Sequence, residues 1–348
     1  LKNIPGALGA LFRDRVDVDL YTPGTTEGRP LALSVLPKRS PNATTEEIEV
    51  QARDAAQALG TMLGYKETQN HAKRRAALFA AIQVLLSLDD VSPTLERLLD
   101  LMNSEDPALL QAMDYLDPKV LRDIVQHLDS FRKLNGGLLG VGAEPLDGGR
   151  LLGLGQYSTP GRARLAVIST KFLGANDVVQ FWVAQLMMEL SRFASTRPSR
   201  ELQAVVMLDE ADLYLPAVGK PASKQPVENA LRRFRSQGIG LILATQSPGD
   251  FDYRCRENIQ TWLVGRVKET RALDKLRPVF GQENAAALEK LGQHATGEFC
   301  LVRPGSLTKF QADRNLLPTE QMSDAEIVAS ARSSRRPIES AKVSGMPS

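Results

Sequence analysis

Two short apolar runs separated by an amphipathic helix constrain this chain more than any other feature. Ala204-Val-Val-Met-Leu208 and Ile239-Gly-Leu-Ile-Leu-Ala244 are bounded by polar residues, a pattern that predicts strands buried on both faces of a parallel sheet. Between them Pro226 marks a first helical turn, Val227, Ala230, Leu231 and Phe234 share one face, and Gly238 ends the helix. The unit is strand, helix, strand. A right-handed crossover brings both strand ends to one edge of the sheet, the edge at which α/β proteins bind ligands. Asp209 and Glu210 close the first strand there, and Thr245-Gln246-Ser247-Pro248 closes the second.

Asp209 and Glu210 have no cationic neighbour in sequence, so they repel each other unless a cation or a proton separates their roles. Magnesium with a phosphate ester supplies such a reason: the strand-end Asp holds Mg²⁺, usually through water, and the neighbouring acid orients an attacking water. Gln246, brought beside them by the crossover, offers an amide that senses a γ-phosphate or a water. Each residue also has a plainer reading. Asp209 and Glu210 can cap the next element, and Thr245 and Gln246 can be ordinary turn chemistry.

Taken together, Leu208-Asp-Glu-Ala-Asp-Leu-Tyr-Leu-Pro216, Pro221-Ala-Ser-Lys224 and the run from Leu231 to Pro248 resemble the HerA branch of the HerA/FtsK ATPase superfamily. The resemblance is firm from about Arg164 to Pro304. It implies an α/β, RecA-like P-loop NTPase core, mainly parallel sheet with helices on both faces, carrying an inserted all-α subdomain. It implies ATP and Mg²⁺ as cofactors, double-stranded DNA as the partner moved, and a homo-oligomeric, hexameric ring with a possible partner nuclease. In those terms Asp209 is the metal residue, Glu210 the acid that activates water, Gln246 the γ-phosphate sensor and Thr245 its support. By similarity with the turn after the matching strand of FtsK-like motors, Arg271 is the candidate that reaches the nucleotide of a neighbouring subunit; Arg254, Arg256 and Arg266 are its rivals. Secretion and conjugation ATPases share this core, and an inactive scaffold subunit is a further alternative.

The phosphate cradle of such ATPases is missing from these residues. No G-x-x-x-x-G-K-[ST] occurs, and Gly219-Lys220-Pro221 lacks both the first glycine and the hydroxyl. In relatives the cradle precedes a strand that ends in an Asp-Pro-x-Gly-Asp/Glu turn, and Leu1-Lys-Asn-Ile4 resembles the stretch just after that turn. The expectation is a fragment whose phosphate loop lies upstream. A degenerate, non-hydrolysing subunit is the alternative.

With 43 basic and 41 acidic residues the net charge is +2, too balanced to point at nucleic acid and no obstacle to a motor that grips DNA through a few side chains. Cys255 and Cys300 lie in core-like sequence, which argues for a reducing, cytoplasmic setting. His71, His127 and His294 make no metal pattern, and no apolar run reaches the length of a membrane span.

In chain order, residues 1–42 are expected to hold the N-terminal part of the core: a helix over Pro5 to Phe12, a period-two strand over Val16 to Thr22, and an extended exit through Arg29 to Pro37. Residues 43–135 read as four or five helices, with a Thr44/Glu47 capping box, Ser92-Pro93 and Asp117-Pro118 starts, an apolar helix from Ala76 to Leu88, and Lys73-Arg74-Arg75 as a solvated collar. Residues 136–318 return to the core. Gly136, Gly137, Gly140, Gly142, Gly148 and Gly149 read as loops, Arg164 to Ser169 as a strand, and Asn176 as the cap of a helix with Trp182, Met187 and Met188 in its core stripe. The loop from Ala217 to Gln225, with Lys220 and Lys224, reads as a solvated connector or as a pore loop touching phosphates. Ile259 to Val267 and Glu298 to Arg303 are the expected last strands, and residues 319–348 a short helix from Ser323 followed by a polar tail containing Arg332, Arg335 and Arg336.

Overall fold

The computed structural model describes residues 6–33, 36–37, 44–66, 68–88, 93–104, 106–113, 118–134, 143–313 and 320–334. Ser92, Asp117, Gly136, Gly137, Gly140, Gly142, Arg335, Arg336 and the first four residues lie outside them.

Helix α1 (Gly6–Arg15) leads into β1 (Val16–Tyr21), and β2 (Leu31–Ala32) precedes five helices: α2 (Thr45–Met62), α3 (Gln69–Ser87), α4 (Leu95–Asn103), α5 (Pro107–Ala112) and α6 (Pro118–Leu134). The capping box of Thr44 and Glu47 forms as the sequence implies. Leu78, Ala81 and Ile82 of α3 are fully buried. Arg74 pairs with Asp123 of α6 at 2.9 Å, and Arg75 donates to the carbonyls of Tyr65 and Lys66. Arg74 and Arg75 therefore tie α3 to α6 and to the turn before α3 from inside the helix, while Lys73 stays exposed.

The chain returns through β3 (Glu144–Pro145), α7 (Gly148–Leu152), β4 (Ala163–Ile168) and α8 (Asn176–Ser195) to β5 (Ala204–Leu208). Gly148 and Gly149 are helical, not loop. A Cβ on Gly148 would stand 2.7 Å from Phe193 Cβ, so α7 can lie on α8 only without side chains there. Asn176 is the first helical residue, preceded by Ala175 as the cap residue with no side-chain bond. Trp182 and Met187 are fully buried in α8.

After β5 come the short α9 (Ala211–Tyr214), α10 (Lys224–Arg233), β6 (Ile239–Leu243), β7 (Trp262–Val264), α11 (Thr270–Phe280), α12 (Ala285–Glu289), β8 (Glu298–Arg303), β9 (Ser306–Gln311) and α13 (Asp324–Ser333). The expected strand from Ile259 to Val267 contracts to Trp262–Val264, the three residues that pair with β8. Glu298 to Arg303 is not the last strand: Pro304-Gly305 is a hairpin turn into β9.

Pairing is parallel for β1 with β4, β2 with β3 and β5 with β6, and antiparallel through β7, β8 and β9. Ala166, Ile168, Val206, Leu241 and Leu243 pack against the common core with α8 and α10. The alternate residues do not. Leu165, Val167, Val205, Met207, Ile242 and Leu263 are between 42 and 63 % exposed, so the expected burial of β5 on both faces fails. Alternation in β1 has an unexpected sense as well: Asp17, Asp19 and Tyr21 point inward and Val16, Val18 and Leu20 outward. Arginines make that possible. Asp19, fully buried, bonds Arg29 at 2.7 Å and Arg164 at 2.6 Å; Arg29 also grips Glu144, and Asp17 pairs with Arg162.

Candidate functional site

The site is assembled by the ends of two adjacent parallel strands. Leu208 pairs with Leu243 in register, Ala244 N–H donates to Leu208 C=O at 2.9 Å, and Ala211 N–H donates to Ala244 C=O at 2.8 Å. These backbone bonds fix the residues just past each strand. Asp209 is exposed and its Oδ1 accepts the Glu210 N–H at 3.0 Å. Glu210 takes φ 50° and ψ 49°, the one non-glycine with positive φ among the described residues. A left-handed turn at a bulky residue opposes chain sterics and marks a constrained position. It aims the Glu210 side chain across to β6, where Gln246 Nε2 donates to its Oε1 at 2.8 Å.

The sequence-read residues separate into those this edge gathers and one it does not. Asp209, Glu210, Thr245 and Gln246 all lie at the two strand ends. Thr245 Oγ1, however, donates to Oδ1 of Asp212 and accepts the Ser247 N–H at 3.0 Å, so its proton is committed away from Asp209. Asp212 was not singled out in the sequence, although its place in the turn after Glu210 is the signal that could have found it. Arg271 lies in the first turn of α11, not in a free turn, and pairs with Asp250 at 3.3 Å on the surface. None of its bonds joins Glu210 or Asp209. Among its rivals, Arg254 forks onto Asp252 and is committed there, while Arg256 and Arg266 are exposed.

Lys224 overturns both readings of its loop. It is 6 % exposed, pairs with Asp252 at 2.8 Å and donates to the carbonyl of Pro216 at 2.7 Å. It neither waves in solvent nor faces a phosphate; it ties the segment after β5 to the segment after β6. Burial alone would push the Asp252 carboxyl up, but hydrogen bonds from Arg254 and Lys224 outweigh it and hold the group far below the usual carboxylate range. Lys220 stays exposed, beside a pocket of about 540 Å³ that also borders Asp212 and Gln180.

Among the described residues no Lys or Arg pairs with Asp209 or Glu210, and no cluster of three or more His, Cys, Asp or Glu could cage a metal. That donor set fits Mg²⁺, which keeps several waters and takes one or two carboxylates alongside substrate phosphates. It does not fit an all-protein cage. Burial pushes the Tyr214 hydroxyl up; a bond with Thr170 opposes this, and the charges of Asp209 and Glu210 add to it.

No family model and no curated protein matches the chain. Solved structures do. VirB4 of Thermoanaerobacter pseudethanolicus superposes with a TM-score of 0.58 at 12 % identity, over 88 % of this chain and 84 % of that one. The bacterial conjugative coupling protein TrwB, in an unbound form, gives 0.53 at 11 % identity over 88 % and 80 % of the two chains. The plasmid coupling protein TrwB in complex with ADP and Mg²⁺ gives 0.51 at 10 % over 92 % and 83 %. The fold is that of RecA-like P-loop NTPases. In this fold Asp209 and Glu210 directly follow β5, and Thr245 and Gln246 follow its parallel neighbour β6. The α/β fold class read from the sequence stands, with one face of β4, β5 and β6 left uncovered among the described residues. No helix of the described residues is long and apolar enough to cross a membrane.

Proposed function

We propose that this chain is the Walker B and sensor part of an ATP-hydrolysing ring motor of the HerA/FtsK type, one that translocates or processes double-stranded DNA. The observation that carries the reading is the Gln246 to Glu210 hydrogen bond of 2.8 Å across two parallel strand ends, beside an Asp209 that no Lys or Arg pairs with among the described residues. ATP bound with Mg²⁺ supplies the phosphoanhydride bond and the charge neutralisation of phosphoryl transfer. Asp209 would hold the metal. Glu210, with Oε1 fixed by Gln246, presents its second oxygen to orient a water and take its proton. Gln246 can keep Glu210 or turn its amide to a phosphate oxygen, and that choice makes it a sensor. Thr245, held by Asp212, sets the height of the Gln246 backbone. Arg271, exposed and only loosely held, is free to act on a neighbouring subunit's site, which makes the homo-oligomer, a hexameric ring, part of the proposal.

The helices of residues 43–135 are proposed as an insertion, with the motor core in 1–42 and 136–318 and a C-terminal extension in 319–348. A conjugation or secretion ATPase is the second reading, favoured by the solved structures that share the fold over most of the chain. The test is ATP turnover by the natural gene's product, with and without double-stranded DNA, beside Glu210→Gln. Turnover stimulated by DNA and reduced ~100-fold or more in the variant is expected of a general base. An assembled, folded protein without turnover is a scaffold, and the reading falls. Turnover indifferent to DNA favours the secretion role.

A further inference from the structure

The strand ends opposite the proposed site gather charge that the proposed chemistry leaves unused. Arg13 and Arg15 close α1 just before β1, Arg197 and Arg200 stand between α8 and β5, and Arg233 and Arg235 lie at the end of α10 and in the turn into β6; all six are exposed. Since β1 runs parallel to β4 and β5 to β6, these segments open at the edge where the strands start. Contacts join them. Arg162, just ahead of β4, donates to the carbonyl of Arg13 at 2.8 Å. Gln203 Nε2 donates to the carbonyls of Arg197 and Gln237 at 3.0 and 3.2 Å. Arg197 Nη1 lies against Gly155, in the segment before β4, 3.4 Å from where a Cβ would stand.

The cations of this edge are arginines without a lysine. Residues 13–15, 153–162, 196–203 and 233–238 hold seven arginines against Asp14 and Glu201, on a chain whose net charge is only +2, so the remaining residues are net acidic. Arg162 is committed to Asp17 at 2.7 Å. Among the described residues no acid pairs with any of the other six. Helix ends explain part of the pattern, because a cation in a last turn complements the helix dipole, as Arg13, Arg15 and Arg233 do. Arg197 and Arg200 lie beyond the end of α8 at Ser195, and the dipole effect falls off within the last turn. Like charges gathered without counter-ions repel one another unless an anion joins them.

We propose that this arginine edge binds the phosphate backbone of a double-stranded nucleic acid, without reading its sequence and without nucleotide. A guanidinium grips a phosphate through two N–H bonds at once. A duplex presents one phosphate charge about every 1.7 Å of its axis, so arginines spread over several loops each meet one. Thr159, Thr196 and Ser236 are exposed among them and add hydroxyl donors of the kind that meet phosphates. Two features choose the partner. These segments expose no aromatic side chain, Tyr157 being half-buried against Arg150, so unpaired bases have nothing to stack on. Leu202 is the one large apolar side chain they expose, too little to anchor on a lipid surface. The inference goes beyond the proposed ATPase and does not rest on it: the five residues of β5 separate this edge from Asp209, roughly 17 Å of strand.

The test is fluorescence anisotropy of a labelled DNA duplex of arbitrary sequence, titrated with the chain between about 50 and 200 mM salt and without nucleotide. If the six arginines each meet a phosphate, affinity should fall as roughly the fifth power of the salt concentration. Arg197→Gln with Arg200→Gln should lower that exponent by about two and weaken binding roughly tenfold or more at the low-salt end. Arg13→Gln with Arg15→Gln, at the other end of the edge, should do the same. Arg97→Gln with Arg122→Gln, exposed on α4 and α6, should change neither quantity. An unchanged exponent in both edge variants, or an equal fall in the α4 and α6 variant, overturns the proposal. So does binding to phosphatidylserine vesicles but not to the duplex, for then the partner is a membrane, and so does tighter binding to a single strand of the same length. A chain that grips the duplex through these arginines yet never turns over ATP keeps this inference and removes the ATPase. Turnover with a duplex affinity indifferent to them does the reverse.

Discussion

Two sets of carboxylates sit on parallel strands of this molecule and are treated in opposite ways. Asp17 and Asp19 of β1 face the core, and every charge they bring is met by an arginine fixed at 2.6 to 2.7 Å. Asp209 and Glu210, at the end of β5, face solvent with an amide as their nearest partner and no cation among the described residues. Desolvated acids need fixed, hydrogen-bonded counter-charges. Hydrated acids do not, and leaving them unpaired keeps their oxygens available to a metal or a water. The first set holds the fold together; the second, in the ATPase proposed above, is the set left open for chemistry.

Removing one member of each set should separate these roles by the widest margin. Asp19→Ala leaves Arg29 and Arg164 facing each other across a buried gap, and about 3–5 kcal/mol of stability should be lost. Asp209→Ala removes an exposed charge beside another acid and should change stability by less than about 0.5 kcal/mol. Urea denaturation of the two variants measures both. Similar losses would mean that the exposed acids are structural too, and the contrast would collapse.

The site was more legible in the sequence than the network, for a physical reason. The β5–α10–β6 unit announces itself through local signals: apolar runs, Pro226, Gly238 and the polar residues that end each strand. Asp19 meets Arg164 only in space, 145 positions along the chain, and period-two alternation states that a strand has two faces without saying which one is inward. The same limit hid the bare face. An apolar run reads alike whether one side or both are covered. Lys224 was misread because a lysine among glycine, proline and serine looks solvated until Asp252 is seen behind it.

The Lys224–Asp252 pair lies between the two extremes, buried like Asp19 yet adjoining the site. Lys224→Met should destabilise by about 3 kcal/mol near pH 7, because Asp252 keeps only the exposed Arg254. The pH dependence carries the sign. Asp252 is depressed in the folded state, so its contribution is present above its unfolded value of about 3.9 and is lost as pH falls from there toward the folded value. In Lys224→Met the depression is smaller, and the stability difference from the parent should narrow between pH 7 and pH 3. A gap that stays constant over that range would show that Lys224 acts through its carbonyl bonds to Pro216 and Gly219 instead.

The smallest expected effect is the sharpest discriminator, because it moves stability and activity in opposite directions at one residue. Glu210 alone among the described non-glycine residues holds a left-handed backbone, at φ 50°. That conformation costs a side chain roughly 1 kcal/mol, and glycine escapes the cost, though glycine gains freedom in the unfolded chain. Glu210→Gly should therefore raise stability slightly, by roughly 0.5 kcal/mol, while turnover falls as far as in Glu210→Gln. Asp19 admits no such exchange, since nothing in the β1 network is strained for the sake of an open oxygen. If Glu210→Gly instead weakens the fold, the bond from Gln246 is part of the scaffold, and the exposed acids belong with the buried ones.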